Sequence, residues 1–221
     1  MRYYPIYLDI RNRNCLVVGG GSVGTRKVMT LLDCSATITV VSPVVTNELR
    51  ELANNNAITL TKRPFQVSDL KGNILVIGVT DDQELNLQIH AEAERLGMLC
   101  NIADHPEACN FILPSIVRRG DLSIAISTSG NSPAFAKKLR KDFEKQFGNE
   151  YADFLKLMGF VRKKLLAQNN EPECHKKVFE QLISTRIVEM IKNHDGQDIN
   201  KTLLEILGKG YVYEELMQAE G

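Results

Sequence analysis

The sequence predicts an α/β fold: a parallel, doubly wound sheet, then a strand–helix segment, then an all-helical tail. Three observations carry that expectation. Short apolar, β-branched runs alternate with helical patterns over the first hundred residues, as strands buried on both faces and joined by crossover helices do. GGGSVG at 19–24 directly follows the first of those runs and opens a helical pattern. After about residue 110 the alternation stops, and from residue 150 only helical periodicity is left.

Taken in order, CLVVG (15–19) is the first strand and TITVVS (37–42) the second. Thr46 is placed to cap the helix TNELRELANNN, whose asparagine cluster suits a turn. ITLTKR (58–63), ahead of Pro64, is a third strand, and NILVIGV (73–79) is the clearest buried one. It runs into TDD (80–82), where Asp81 or Asp82 can cap QELNLQIHAEAERLG, a helix closed by Gly97. MLCNIA (98–103) is the last strand of this series and ends at Asp104. FILPSIVRRGDLSIAISTSG reads as an antiparallel hairpin around Arg119-Gly120-Asp121. In NSPAFAKKLRKDFEKQFG, Ser132 is the expected N-cap, Pro133 the first helical position and Gly148 the stop; Phe135, Leu139 and Phe143 share one face. Helices are expected over 150–168 and 174–193, broken by NNEP (169–172), and DGQD (195–198) precedes a last short segment and YVYEELMQ. The expected divisions are 1–112, 113–149 and 150–221.

Composition excludes several classes of function. No apolar run in the 221 residues approaches the ~18–20 needed to span a bilayer, and MRYYPIYLDIRN lacks the apolar stretch of a signal peptide. Neither a membrane partner nor a secreted location is expected. The 27 basic and 27 acidic residues balance, which argues against a general nucleic-acid binder. The five cysteines (Cys15, Cys34, Cys100, Cys109, Cys174) are an odd number without a C-x-x-C pair, so a reducing cytoplasm is the expected setting.

Gly19, Gly21 and Gly24 fit G-x-G-x-x-G. The first permits a tight turn, the second a close approach to a pyrophosphate, and the third close helix packing; the Ser22 and Val23 amides then face the phosphates. A glycine turn without ligand is the plainer alternative. The second strand ends in Ser42-Pro43-Val44, with no acid for ribose hydroxyls and no arginine for a 2′-phosphate; Ser42 can still bond a ribose. Asp104 closes a parallel strand on the edge that faces the ligand crevice, where it can act as a general base or simply form a turn before Pro106. ISTSGNSP (126–133) offers Ser127, Thr128, Ser129 and Gly130 ahead of a helix, suited to an anion or to simple capping. Arg118, Arg119 and Lys137 flank it, as a solvated face or as partners for a polycarboxylate. The four histidines are scattered, His90 reads as a surface or packing residue, and no metal site is expected.

Together these residues resemble the precorrin-2 dehydrogenase/sirohydrochlorin ferrochelatase family, which includes the N-terminal part of siroheme synthases. YYPIYLDIRNRNCLVVGGGSVGTRKV is similar to that family's opening, TDD at 80–82 matches, and CNIADHPEACNFILPSIVRRGDLSIAISTSGNSPAFAKKLR is similar to its central block. The resemblance runs end to end and is diffuse beyond residue 150. Gly24 stands where alanine is commoner, and Thr128 where some members carry serine. It implies oxidation of precorrin-2 to sirohydrochlorin with NAD, followed in many members by insertion of ferrous iron as substrate. It also implies a homodimer, with a Rossmann domain, a dimerisation segment at 113–149 and a helical C-terminal domain. The family's aspartate falls on Asp104 and its NAD-contacting positions on Ser22, Val23, Pro43 and Val44; Thr80 and Asp81, in the matching TDD, join them as cofactor candidates. Two alternatives stay open: a dehydrogenase without chelatase activity, and a non-catalytic nucleotide-sensing regulator.

Overall fold

The structure, a computed structural model, describes residues 3–167 and 172–218, with backbone alone at 172–174. Asn169, Asn170 and Glu171 of the expected NNEP break, and the Cys174 side chain, lie outside the described residues. The chain divides into two compact units, Met1–Leu113 and Pro114–Gly221.

In the first unit, β1 (Asn14–Gly20), β2 (Thr37–Val45), β3 (Thr59–Thr61), β4 (Leu75–Gly78) and β5 (Leu99–Ile102) form one parallel sheet in the order β3-β2-β1-β4-β5. Alternation along the strands sorts its two cores. Cys15 and Val17 of β1, Ile38 and Val40 of β2, and Leu75 and Ile77 of β4 face one side, against Val28 and Leu31 of α1 (Ser22–Leu32) and Leu49 of α2 (Asn47–Asn54). Leu16 and Val18, Val41 and Val76 face the other, against Ile89 and Ala93 of α3 (Gln83–Arg95). Helices on both faces, with the chain reversing direction at the β1–β4 neighbours, make the doubly wound sheet that the apolar runs predict.

The caps form as expected. Thr46 accepts from the Leu49 amide at the start of α2, and Asp82 from the Leu85 amide at the start of α3. Strand β2 outruns its expected end at residue 42. Its pairing with β1 jumps from Val18↔Val41 to Gly20↔Val45, because Pro43 has no N–H to give the ladder and the chain bulges around it.

In the second unit, β6 (Ser115–Arg119) and β7 (Leu122–Ile126) pair antiparallel about Gly120-Asp121. Ser132 caps α4 (Pro133–Gln146), with Pro133 in its first turn. The remaining helices are α5 (Glu150–Ala167), α6 (Pro172–Ser184), α7 (Ile187–Lys192), α8 (Gly196–Leu207) and α9 (Tyr213–Gln218). Leu157, Val161 and Leu165 of α5, spaced four apart, pack on Leu182, Ile187, Ile191, Ile199 and Leu203. The single helix expected over 174–193 is broken. Thr185 donates its hydroxyl to Leu182 O (2.6 Å) and accepts from the Ile187 amide (3.3 Å), a local bonding pattern that competes with the helix.

Thr46 also meets the Thr25 hydroxyl at 2.9 Å, so one residue caps α2 and ties it to α1. Thr46→Ala is expected to lower stability by about 1–2 kcal/mol in urea denaturation, with Thr46→Ser retaining most of it.

Candidate functional site

The three fingerprint glycines have separable structural roles. Gly19 has φ of 116°, and a Cβ there would lie 2.5 Å from the Val79 carbonyl oxygen, so the end of β1 touches the chain leaving β4. A Cβ on Gly24 would lie 2.3 Å from Gly19 O, which presses α1 against the turn. A Cβ on Gly21 would meet nothing within 4 Å: this glycine borders open space. Gly21 N-caps α1 without a side-chain bond, and no acid stands in the first turn, so the exposed Ser22 and Val23 open a helix end suited to negative charge. Thr25 anchors the turn by donating to Gly21 O at 3.1 Å. An open backbone cradle at a bare helix N-terminus fits the pyrophosphate of a dinucleotide.

The rim is built by internal hydrogen bonds. Ser42 donates to Val44 O at 2.7 Å, which turns the exposed Pro43 and Val44 (75% accessible) outward at the end of β2. Thr80 donates to Asn86 Oδ1 (2.9 Å), and the buried Asn86 amide returns a bond to Thr80 O (2.8 Å). Ser42 and Thr80 therefore shape the backbone around the crevice, whereas Asp81 is exposed beside the Asp82 cap.

Asp104 stands just past β5, exposed, with a left-handed φ of 61°. It lines a cavity of about 580 Å³ with Leu87, His90, His105, Glu107 and their neighbours. His90 belongs to this cavity wall, and its Nδ1 is buried without a hydrogen-bond partner among the described residues. Lys27, half-buried on α1, has its pKa lowered by burial and by Arg26, against the pull of Asp104 and Cys109. An ammonium thus sits near the carboxylate, and no ion pair joins Lys27 to any described residue. Lys27 and His90 escape a linear reading because only the crossovers of the fold bring α1 and α3 to the segment after β5; Cys109, five residues past Asp104, escapes it because a thiol's hydrogen bonds leave no pattern in a sequence. The RK pair behind the glycine turn was the one available signal. Among the described residues no group of three or more His, Cys, Asp or Glu is arranged to hold a metal.

In the second unit, Ser127 accepts from the Ser129 amide (3.0 Å) and Thr128 from the Ser132 amide (3.1 Å), which leaves both O–H groups able to donate outward. Ser129 and Gly130 both have positive φ (53° and 87°), curling the loop onto α4. The two arginines lie elsewhere on the hairpin. Arg118 pairs opposite Ser123, four residues or roughly 13 Å along β7 from Ser127. Arg119 donates to Phe147 O (2.8 Å) and Glu144 O (3.0 Å), tying down the far end of α4. Lys137 is exposed on the second turn of α4.

Comparison with known proteins now has a geometry to meet. Residues 6–115 match the family model described as "Putative NAD(P)-binding", and residues 119–146 the one described as "Sirohaem biosynthesis protein central". The chain is 34% identical over 215 residues to a siroheme synthase of Nitrosococcus oceani, covering 97% of this chain and 46% of that protein. It is 34% identical over 220 residues to one of Pseudoalteromonas atlantica, covering 96% and 48%. A solved structure titled "SirC, precorrin-2 dehydrogenase" superposes with a TM-score of 0.71 at 25% identity, covering 92% of this chain and 98% of that one. The chain belongs to the siroheme synthase and precorrin-2 dehydrogenase family. It spans less than half the length of the curated siroheme synthases it matches. The NAD(P)-binding match covers nearly all of the first unit, a Rossmann-like fold that contains the Gly19–Gly24 turn. No helix among the described residues is long and apolar enough to cross a membrane.

Two glycine substitutions separate folding from cofactor binding. Gly21→Ala is expected to fold and melt like the parent while weakening NAD binding about tenfold or more in a titration. Gly19→Ala forces a side chain against Val79 and is expected to lower the melting temperature itself.

Proposed function

We propose that the chain oxidises precorrin-2 to sirohydrochlorin with NAD as hydride acceptor, and then inserts ferrous iron, a substrate, to give siroheme. The observation that carries this reading is the placement of Asp104 on the same carboxyl edge of the sheet as the glycine turn. The siroheme synthase relatives support it as well.

When bound, NAD accepts two electrons as a hydride at its nicotinamide. The amides of Ser22 and Val23 hold its pyrophosphate, and Pro43 and Val44 form the floor at the end of β2, with Ser42, Thr80 and Asp81 along the rim. No basic residue stands at the end of β2, Ser42-Pro43-Val44, to take a 2′-phosphate, which favours NAD over NADP. Asp104, exposed at the crevice mouth, accepts the proton released as hydride leaves the macrocycle. The same carboxylate can take up pyrrole protons as iron enters, the metal being held by the macrocycle nitrogens. The substrate's many carboxylates match the donors of Ser127, Thr128, Ser129 and Gly130 and the charges of Arg118 and Lys137; Arg119 contributes through the helix end that it ties.

A dehydrogenase without chelatase activity is the second reading. The solved structure that this chain covers almost completely is titled for the dehydrogenase alone. We also infer a homodimer in a reducing cytoplasm. The β6–β7 ribbon supports the first inference: among its residues only Val117 is buried, Ile116 is 42% accessible, and a two-stranded sheet is marginal in water by itself. The free thiols of Cys15, Cys34, Cys100 and Cys109 support the second.

Anaerobic incubation with precorrin-2 and NAD is expected to give NADH and the sirohydrochlorin spectrum; absence of NADH sinks the reading. Ferrous or cobaltous ion added afterwards is expected to give a metallated spectrum, and its absence leaves the dehydrogenase alone. Asp104→Ala is expected to slow oxidation about a hundredfold or more while NAD still binds. Full turnover by that variant removes Asp104 as the base.

A further inference from the structure

The segment that carries Asp104 leaves β5 at Ile102 and returns at Cys109, and one thiol holds its ends together. The Ile102 amide donates to Cys109 Sγ at 3.2 Å and Asn101 Nδ2 reaches it at 3.6 Å; the S–H faces Ile102 O at 3.3 Å and His105 O at 3.2 Å. These partners stand on both sides of Asp104 in the chain. His105 N to Ile102 O (3.4 Å) and Ala108 N to His105 O (3.0 Å) complete the turn. Asp104 itself is left-handed, a conformation that a non-glycine residue keeps only where its surroundings enforce it. Its carboxylate makes no hydrogen bond or ion pair with any described residue, so the backbone alone aims it.

We propose that Cys109 is the positioning residue for Asp104, its thiol clamping the backbone on either side of the base so that the carboxylate stays at the crevice mouth. The proposal rests on the reading of Asp104 as proton acceptor. Burial pushes the Cys109 thiol up, against the Ile102 amide and Lys27, which keeps the proton on sulfur for donation. The flanking strand does not depend on this thiol. Asn110 accepts from the Cys100 amide at 2.8 Å and donates to Met98 O at 2.7 Å, so β5 stays anchored without it. Cys109 variants are therefore expected to fold.

Cys109→Val keeps the bulk and removes every sulfur hydrogen bond, whereas Cys109→Ser keeps a donor and an acceptor. With precorrin-2 and NAD, the valine variant is expected to lose about tenfold or more in kcat at an unchanged KM for NAD. The serine variant is expected to stay within about threefold of the parent. A double-mutant cycle separates positioning from bulk structure. Asp104→Ala combined with Cys109→Val is expected to be no slower than Asp104→Ala alone, because the clamp has nothing left to aim. Additive losses, or full kcat in the valine variant, overturn the proposal. Amide hydrogen exchange tests the clamp without any turnover. In Cys109→Val, exchange at Ile102, His105 and Ala108 is expected to rise about tenfold or more, with Thr25 in the phosphate turn unchanged. Unchanged exchange at those amides overturns the proposal even if the parent proves inactive on precorrin-2, an outcome that by itself overturns only the functional reading.

Discussion

The contact between the end of β1 and the chain leaving β4 governs the arrangement of the candidate site. At Gly19 the two backbones pass so closely that a Cβ would stand 2.5 Å from the Val79 carbonyl, and Gly24 then brings α1 to within the same kind of distance of Gly19. Both approaches must be made by glycine, since any side chain would push the helix off the strand. Once they are made, α1 starts at the carboxyl edge of the central strand with its first amides turned outward. The opening beside Gly21 follows from the same geometry, because close packing on the two flanking glycines leaves the middle one facing empty space. β1 pairs with both β2 and β4, so the rim at Pro43–Val44 and the rim at Thr80 are each one strand away from the turn.

On the edge thus formed, the charges are arranged to be used rather than neutralised. Lys27 lies half-buried without an ion pair to any described residue, in the field of Asp104 and Cys109, and burial lowers its pKa. A partly desolvated ammonium without a bonded partner is an unfavourable arrangement in isolation. The Arg63–Asp69 pair, far along the chain from these residues, shows the contrast. There two hydrogen bonds of 2.8 and 2.6 Å hold the Asp69 carboxyl below its ordinary value, and the pair is internally satisfied. Its contribution is present above the unfolded carboxylate value and fades as pH falls through the lower folded one.

What was legible in the sequence divides along the range of the interactions. The caps at Thr46, Asp82 and Ser132 were readable because a cap is a bond to an amide three residues away. The parallel sheet was readable because apolar runs broken by helical periods admit few other arrangements. The break between α6 and α7 was missed although its cause is local: Thr185 is one threonine among ordinary helix formers, and periodicity carries across it. Arg119 reads as a solvated charge or an anion partner because a sequence shows its charge and not the carbonyls of Glu144 and Phe147 that it serves. His90, Lys27 and Cys109 were passed over for a related reason. His90 and Lys27 come from separate helices that only the crossovers of the sheet bring to Asp104, and the hydrogen bonds of the nearby Cys109 leave no mark in the sequence.

The proposed chemistry makes different demands on the two edges of this crevice. Oxidation removes a hydride and a proton from the macrocycle, so it needs the dinucleotide turn and the carboxylate at once. Metal insertion releases two protons and no hydride, so it needs the carboxylate alone. In the proposed reading a single aspartate on the segment from Ile102 to Cys109 serves both steps, the macrocycle itself supplying the nitrogens for the metal. The glycine turn therefore restricts one activity and is irrelevant to the other. In that reading the segment from Ile102 to Cys109 bears on both; it lies within the block from Asn101 to Pro133, where the family resemblance is most specific, and holds Asp104 in a left-handed conformation.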